Sequence, residues 1–149
     1  MSEHTATLAW TRGDATFTYE TYSRDHRLVF ENGLETLASS APAYAGNPKA
    51  LNPETLLVGA LASCHMLTFL AVCAKRGYVV ERYEDSASGR LDKNAEGRMA
   101  ITHITLRPKV AFSGEKQPTA EELERLHERA HANCFIANSV RAEVEVQPG

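Results

Sequence analysis

The sequence predicts an α+β fold in which one long apolar helix packs against largely antiparallel sheets. Residues 56–74 carry no formally charged side chain, whereas the segments on both sides alternate polar and apolar residues as strands do. The predicted order is three strands, a long helix, two strands, a second helix and a last strand. Strands and helices that are segregated in this way favour an antiparallel sheet. With 149 residues, the chain is expected to form a single domain over residues 1–149.

The composition argues against several classes of function. A net charge of −3 without a basic cluster argues against nucleic acid as a main partner. The first ten residues lack the charged-then-apolar pattern of an export signal. Three cysteines are an odd number, unlike the disulfide framework of a secreted protein. We therefore expect a cytoplasmic protein whose thiols serve chemistry or packing.

The N-terminal part is expected to contain three strands. Residues 5–30 have a strand-like pattern, with Gly13 in a tight turn. Three of these residues share one face of an alternating run: Phe17, Tyr19 and Thr21. Asn32-Gly33 is a strong hairpin signal. Residues 38–51, which include two prolines and a glycine, are expected to form a loop that leads into the long helix.

The long helix has clear start and stop signals. Asn52 is a good N-cap, Pro53 suits the first helical position, and Gly77 suits the left-handed residue that ends a helix. A run of this length also fits a membrane span. It is, however, rich in alanine and glycine and carries polar residues at its centre, and the sequence has no second apolar run of this length. We therefore expect a buried core helix and no membrane partner.

A helix that is apolar all round needs cover on every side. One sheet covers only one side of it, and the sequence predicts only one other helix. A second copy of the chain is the simplest cover for the remainder. The sequence therefore predicts a homodimer with the long helices in its core.

The C-terminal part is expected to contain three strands and the second helix. Two long strands are predicted over residues 79–90 and 98–112, and Pro108 makes the later part of the second an edge or a bulge. Residues 140–146 alternate apolar and charged side chains, which predicts the last strand.

The second helix is predicted from its capping box and its apolar stripe. Thr119 and Glu122 have the capping-box spacing. Cys134 follows the stripe and lies on the buried side if the helix extends that far. The stripe consists of Leu123, Leu126 and Ala130.

Cys64 and Cys134 are candidate catalytic residues. Each lies on the side of its helix that is expected to face the core, so the two thiols meet if the helices pack together there. A thiolate that attacks a peroxide becomes a sulfenic acid, and a second thiol condenses with it to a disulfide. The alternative is that both are small buried hydrophobic residues. Cys73 points to the face opposite Cys64 and is expected to serve packing.

His65 is expected to be a neutral, buried residue with one hydrogen bond. It lies about 100° from Cys64 around the helix. A zinc site of Cys64, His65, His131 and Cys134 has suitable ligand atoms. Adjacent residues on a helix diverge too much to ligate one ion, however, so no metal is expected.

A reactive thiol needs a nearby cation to lower its pKa. Arg24 and Arg27 lie in a polar interruption of an otherwise apolar region. Glu54, at the start of the long helix, is the nearest plausible carboxylate to hold a guanidinium in position. The alternative interpretation is that both arginines are solvated turn residues.

Two segments carry a resemblance to a known family: NPETLLVGALASCH at residues 52–65 and HANCFIANSV at residues 131–140. Together with the Arg-Asp step at residues 24–25, they resemble the OsmC/Ohr family of thiol peroxidases over nearly the whole chain. The Ohr branch tends to have Ala-Cys-Phe and Cys-Pro, where this chain has Ser-Cys-His and Cys-Phe. The sequence is therefore more similar to the OsmC branch or a relative of it.

The resemblance implies that the protein reduces organic hydroperoxides to alcohols. The family is re-reduced by external dithiols, typically dihydrolipoamide, and we expect no bound cofactor. It forms an intertwined homodimer whose active sites lie at the subunit interface. By this resemblance Cys64 is the peroxidatic cysteine and Cys134 the resolving one. Arg24, oriented by Glu54, then stabilises the thiolate.

The substrate pocket is expected to be apolar, which suits a bulky organic peroxide better than hydrogen peroxide. Its expected lining is Met66, Phe69, Phe135 and His65. An alternative function on the same fold is a module that binds a small apolar ligand or senses redox state without peroxidase turnover.

Overall fold

Two helices and eight strands make up the regular structure of the chain, and the computed structural model describes all 149 residues. Two short 3-10 helices lie at Pro42–Tyr44 and Ala137–Ser139. The contacts divide the chain into two compact units, Met1–Leu56 and Leu57–Gly149. In chain order the elements are β1 Ala6–Ala9, β2 His26–Phe30, β3 Glu35–Ala38, α1 Pro53–Lys75, β4 Val79–Asp85, β5 Ser88–Lys93, β6 Met99–Leu106, β7 Pro108–Ser113, α2 Ala120–Asn133 and β8 Glu143–Val146.

The N-terminal unit is built on an antiparallel sheet in the order β1-β2-β3. The predicted hairpin at Asn32-Gly33 connects β2 to β3. Gly33 has a φ of 82°, which glycine adopts without strain, and the Asn32 side-chain oxygen accepts a hydrogen bond from the Leu34 amide at 3.1 Å. This turn places Val29 opposite Glu35 in the register of the two strands.

Residues 10–25 form turns, bends and irregular loop without any strand, so the strand predicted from the alternation of Phe17, Tyr19 and Thr21 is wrong. The Thr21 hydroxyl accepts a hydrogen bond from the Thr18 amide at 3.1 Å, and the Tyr22 amide donates to the Thr18 carbonyl at 3.1 Å. Threonine side chains that bond to nearby backbone groups compete with strand pairing. Local hydrogen bonds therefore overrode the alternating pattern.

Helix α1 begins and ends where the sequence predicts. The Asn52 side-chain oxygen accepts a hydrogen bond from the Thr55 amide at 2.9 Å, as an N-cap does. At the other end Gly77 has a φ of 78°, and the Tyr78 amide donates to the Cys73 carbonyl at 3.0 Å. This arrangement is a Schellman motif, which satisfies carbonyls that the helix itself leaves free.

Within one chain, α1 buries a single stripe of side chains. The buried residues are Leu61, His65, Phe69 and Cys73. The other sides are more open, and Leu67 is 60% exposed. By length and composition alone α1 could cross a membrane, a test that the core helix of a soluble protein also passes. The sequence predicts that other elements pack against every side of α1, whereas within one chain they bury only this stripe.

The C-terminal unit has two sheets. One consists of β4 and β7, and the other has the order β5-β6-β8, in which only the β6–β8 pair is parallel. Each of the two predicted long strands is therefore divided in two. This mixture of helices with mainly antiparallel sheets confirms the predicted α+β fold.

The two points at which the predicted long strands are interrupted, at residues 86–87 and at Arg107, lie side by side and are joined by hydrogen bonds. The Arg107 amide donates to an Asp85 carboxylate oxygen at 2.7 Å, and the Arg107 guanidinium donates to the Ser86 carbonyl at 3.1 Å. Pro108 opens β7, which pairs only with β4 and is therefore an edge strand, as proline in a sheet requires. The long strands break here because the chain leaves one sheet for the other.

Helix α2 starts with the predicted capping box. The Thr119 amide donates to a Glu122 carboxylate oxygen at 2.8 Å, and the Glu122 amide donates to the Thr119 hydroxyl at 3.2 Å. The helix ends at Asn133, which makes Cys134 its C-cap in an extended conformation. Cys134 is fully buried, as its place on the apolar stripe predicted.

Two hydrophobic clusters hold the C-terminal unit together. The first connects α1 with α2 and the β4–β7 sheet, and its buried members are Phe69, Cys73, Tyr78, Leu126 and Ala130. The second connects α1 with the other sheet, and its buried members are Leu61, Ile104 and Leu106. Helix α1 thus takes part in both clusters, and Cys73 serves packing as expected.

Two buried histidines form part of the contact between α1 and α2. The rings of His65 and His127 are stacked with centroids 5.4 Å apart, and His65 Nε2 lies 3.1 Å from His127 Nδ1. Phe69 stacks on the other histidine, His127, at 4.2 Å between centroids. Burial, together with the charge of a neighbouring histidine, lowers the pKa of each imidazole to about 4. His65 is therefore neutral with one hydrogen bond, as predicted.

We expect the free energy of unfolding to decrease as the pH falls from about 6.5 to about 4. Unfolded histidines bind protons near pH 6.5, whereas the folded pair stays neutral until about pH 4. The unfolded state binds more protons in this window, so stability rises with pH. The pKa shift of one histidine corresponds to roughly 3 kcal/mol. Urea denaturation across this pH range measures the slope.

The variant His127→Phe keeps a ring against Phe69 and removes one titrating group, so its stability should depend less steeply on pH. His4→Gln, which removes an exposed histidine, is the control. An equal slope in both variants would contradict a role for the buried pair.

Candidate active site

Cys64 and Cys134, distant in sequence, lie close enough for each thiol to shift the pKa of the other. Cys64 lies near the middle of α1, adjacent to the buried His65 that fixes this turn against α2. Cys134 is held at the C-terminal end of α2. Both are free thiols. The packing of the two helices therefore assembles the cysteine pair that the sequence proposed.

The turn after α2 surrounds the Cys64 sulfur with hydrogen-bond donors. The backbone amides of Ile136 and Phe135 and the Cys134 thiol are the donors nearest to it, while the Thr68 hydroxyl donates to the Cys64 carbonyl at 2.8 Å. Burial raises the pKa of Cys64, but these hydrogen bonds, led by that of Ile136, outweigh it and leave the pKa below that of an ordinary thiol. Successive amides that point at one anion form such a site without any charged side chain.

The pKa values of the other two cysteines are raised rather than lowered. Burial raises the pKa of Cys134; the Ala137 amide, 3.4 Å from its sulfur, lowers it in part, and the contact with Cys64 raises it again. Burial alone raises the pKa of Cys73 to about 11. As the pH rises, Cys64 therefore loses its proton before Cys134 does.

Arg24 is buried in the N-terminal unit and binds its own turn. Its guanidinium donates to the Tyr22 carbonyl at 2.6 Å and to the Tyr19 carbonyl, and it lies over the Tyr22 ring at 3.7 Å. Within one chain Arg24 forms no ion pair with Glu54, and two of its N–H groups donate to carbonyls of its own turn instead. One Glu54 carboxylate oxygen is buried without a partner. The effect of Arg24 on the Cys64 thiolate stays a prediction.

Arg27 was the alternative arginine. It forms an ion pair with Glu35 at 2.9 Å, with 64% of its side chain exposed. It is therefore a solvated residue of β2, and Arg24 is the buried member of the two.

An open cavity of about 800 Å³ lies against Cys64. One face of α1, the last turns of α2 and the turn that follows it form the walls. The lining residues are Ala60, Ser63, Cys64, Leu67, Thr68, Ala71, Val72, Lys75, Arg76, Arg129, Asn133, Phe135 and Ile136. The wall is mainly apolar near the sulfur, and Phe135 is 81% exposed.

The predicted lining needs correction, because only Phe135 of the four predicted residues lines this cavity. Phe69 and His65 lie on the buried stripe of α1, where they pack against His127. Met66 follows Cys64 by two positions, which directs it about 160° away around the helix. Apolar character alone did not distinguish the cavity face from the core face.

No group of three or more metal-ligating side chains is assembled in the chain. Cys64 turns to Cys134, while its neighbour His65 turns to His127. Adjacent residues of a helix diverge in this way, which is the reason given above against a zinc site.

The donors of residues 135–137 are the functional groups that the sequence did not reveal. They are backbone amides, so residue type carries no information about them. The only available signal was the end of α2 at Cys134, because the 3-10 helix that follows leaves the amides at its own start without partners inside it.

The match to a family model adds to this geometry. The model described as OsmC-like protein matches residues 46–148, a range that contains Glu54 and both cysteines of the pair. This chain belongs to the OsmC-like family. The match begins after Arg24, so it does not extend to that residue.

Several individual proteins are similar to this OsmC-like chain. An OsmC-like protein of unknown function from Vibrio cholerae is 46% identical over the full length of both chains, with a TM-score of 0.95. Peroxiredoxin OsmC of Escherichia coli is 29% identical over 96 residues, which are 64% of each chain. The uncharacterized protein YmaD of Bacillus subtilis is 25% identical over 121 residues, which are 80% of each chain.

The fold is also shared with a more distant protein. The organic hydroperoxide resistance protein OhrB of Bacillus subtilis is 18% identical, covers 99% of this chain and 98% of its own, and has a TM-score of 0.71. The OsmC/Ohr family thus includes proteins named as peroxiredoxins and as hydroperoxide resistance proteins.

We expect Cys64 to react with iodoacetamide at a lower pH than the other two cysteines. Its rate should reach half-maximum below about pH 8.5, the value for an ordinary thiol, because the Ile136 amide stabilises the thiolate. Ile136→Pro removes this amide, and the αR backbone at Ile136, with φ −71°, suits proline. Mass spectrometry of each cysteine at a series of pH values gives the profiles.

Loss of one charge-assisted hydrogen bond should raise the half-maximum of Ile136→Pro by about one pH unit. Ile136→Ala also loses the side chain but keeps the amide, so its profile should match that of the parent. Identical profiles in the proline and alanine variants would refute the role of the amide.

Proposed function

We propose that this chain is a thiol-dependent peroxidase that reduces organic hydroperoxides to alcohols. The observation that carries the proposal is the proximity of two thiols beside an apolar cavity: Cys64, whose pKa is lowered, and the buried Cys134, whose pKa is raised. A thiolate is the nucleophile that attacks peroxides, and a thiol in contact with it is placed to trap the oxidised product.

The reaction proceeds in two steps on the protein. The Cys64 thiolate attacks one oxygen of the O–O bond, becomes a sulfenic acid and releases an alkoxide, which takes a proton to give the alcohol. Sulfur is oxidised by two electrons and the peroxide is reduced by two. The Cys134 thiol then attacks the sulfenic sulfur, which forms a Cys64–Cys134 disulfide and releases water.

An external dithiol completes the cycle. Two thiol–disulfide exchanges restore both cysteines and convert the dithiol into its own disulfide. Dihydrolipoamide is the reductant that we propose, and the reaction needs no bound cofactor or metal. A cytoplasmic location, where thiols are kept reduced, fits this requirement. Neither a membrane nor nucleic acid is proposed as a partner.

The hydrogen bonds of the site support this order of events. Donors near the Cys64 sulfur favour the thiolate. Because the pKa of Cys134 is raised, this thiol keeps its proton until the sulfenic acid forms. We assign Arg24, with Glu54, to the alkoxide that leaves, as the resemblance implies. The apolar wall favours an organic substrate over hydrogen peroxide, which has no carbon chain to bury.

We also propose that the protein is a homodimer in which a second copy covers the open face of α1. This face carries Leu67 at 60% exposure, beside alanines that leave the helix backbone easy to approach. A second copy there would close the cavity around Cys64 from the outside and exclude water from it. Exposed apolar surface next to a reactive sulfur is the observation that supports this arrangement.

The parent chain should turn over cumene hydroperoxide in the presence of dihydrolipoamide, and Cys64→Ser should lower the rate by at least about a thousandfold, because it removes the nucleophile. Cys134→Ser should complete one oxidation of Cys64 and then stop at the sulfenic acid. Loss of peroxide is followed by a dye assay, and the state of each sulfur by mass spectrometry.

Cys73→Ala is the matched control, since it removes the third thiol and should leave turnover within about twofold of the parent. Turnover by Cys64→Ser at the parent rate would defeat the proposal. Intact thiols in the parent after peroxide would favour the alternative of a ligand-binding module.

For the homodimer, we expect sedimentation equilibrium at micromolar concentration to give twice the mass of one chain. Leu67→Glu places a charge in the proposed interface and should shift the equilibrium to monomers. Met99→Glu, at a residue that is 54% exposed on β6, is the control and should remain dimeric. A monomeric parent would exclude this arrangement.

A further inference from the structure

The turn after α2, residues 134–139, interrupts the hydrogen-bond pattern of the helix. In an α-helix each amide donates to the carbonyl four residues earlier. If α2 continued, the Ile136 amide would therefore donate to the Ala132 carbonyl. In the structure the Asn138 side-chain amide donates to that carbonyl at 3.2 Å. The Ile136 amide is left without this helical partner, and it is one of the donors nearest to the Cys64 sulfur.

We propose that Asn138 is a positioning residue of the site: its side chain occupies the Ala132 carbonyl and so leaves the Ile136 amide directed at the Cys64 sulfur. Asn138 acts through the backbone of the turn. Its effect on the ionisation of Cys64 stands on this hydrogen-bond exchange. Its consequence for turnover rests on the peroxidase function proposed above.

The same exchange of a side chain for a backbone amide occurs at the next carbonyl group that the turn leaves free. The Ser139 amide donates to the Ile136 carbonyl at 3.0 Å, three residues earlier, as in a 3-10 helix. The Phe135 carbonyl is therefore left to the Ser139 hydroxyl, which donates to it at 2.7 Å. Two successive side chains thus satisfy carbonyls that the tighter turn does not pair.

Asn138 is exposed, so its replacement by alanine opens no cavity in the core. The backbone amide of Asn138 donates to the carbonyl of the buried Cys134 at 3.0 Å, and the alanine variant keeps this bond. The substitution therefore removes the side-chain hydrogen bond while the chain keeps its fold. This makes the ionisation of Cys64 a direct measure of the role of Asn138.

The first test is the pH profile of iodoacetamide labelling at Cys64. Asn138→Ala should raise the pH of half-maximal labelling by about half a unit, because the free Ala132 carbonyl then competes for the Ile136 amide. The shift is smaller than that expected for Ile136→Pro, since the amide is redirected in part of the molecules rather than removed. An unchanged profile would mean that water replaces the side chain, and it would overturn the proposal.

Asn94→Ala is the matched control. Asn94 also holds a turn, and its side-chain oxygen accepts hydrogen bonds from the amides of Glu96 and Arg98, both at 3.0 Å. This turn connects β5 to β6 and contains no donor to Cys64. The control should therefore keep the parent profile, even where urea denaturation shows an equal loss of stability. An equal shift in both variants would assign the effect to general loosening and reject the proposal.

A double-mutant cycle tests whether Asn138 acts through the Ile136 amide. If it does, Asn138→Ala/Ile136→Pro should shift the labelling profile no further than Ile136→Pro alone, because the amide is already absent. Additive shifts would show that Asn138 acts by another route and would overturn the proposal.

A further measurement follows the amide itself. In ¹H–¹⁵N spectra the Ile136 amide proton should shift as Cys64 ionises, and Asn138→Ala should lose most of this response. An Ile136 amide that does not respond in the parent would reject the proposal.

The peroxidase reaction gives a readout that depends on the proposed function. Oxidation of Cys64 by cumene hydroperoxide should be slower in Asn138→Ala than in the parent at low pH, and the two rates should converge once Cys64 is ionised in both. A parent that does not reduce cumene hydroperoxide would defeat the peroxidase function, whereas the labelling profiles and the cycle would still decide the role of Asn138.

Discussion

The hydrogen bonds from the turn after α2 to the Cys64 sulfur are the interaction on which the proposed chemistry depends. The backbone amides of Ile136 and Phe135 supply two of them, and how the chain leaves α2 fixes their direction. A thiolate held by amides needs no neighbouring cation within the same unit. The position of α2 against α1 therefore sets both the charge of Cys64 and its contact with Cys134.

The two sides of α1 have separate tasks. One side carries the buried stripe, on which His65 and Phe69 pack against His127 and fix the helices relative to each other. The other side faces the cavity and carries the Cys64 sulfur. Burial keeps both imidazoles neutral, so the contact between the helices carries no charge. The cavity side, in contrast, carries the Cys64 thiol, whose pKa is lowered. Adjacent residues, Cys64 and His65, can thus serve chemistry and packing without conflict.

The alternating patterns indicated most of the strands but not their limits, and the alternating run from Phe17 to Thr21 forms no strand at all. The sequence signals at Asn32-Gly33, Asn52, Gly77 and Thr119 each correspond to the turn or cap that they predicted. These signals depend on atoms within a few residues of each other, so they survive in the folded chain. The division of the long strands at Asp85 and Arg107 depends on which sheet the chain joins next, and no local pattern records that.

The sequence by itself determined the α+β class, the limits of α1, the start of α2 and the residue types available for thiol chemistry. Only the tertiary structure decided which groups surround Cys64, that Arg24 binds the carbonyls of its own turn, and that Phe135 rather than Phe69 lines the cavity. The physical reason is that caps and helical faces arise from short-range geometry, whereas the surroundings of a sulfur depend on how separate helices and turns pack in space.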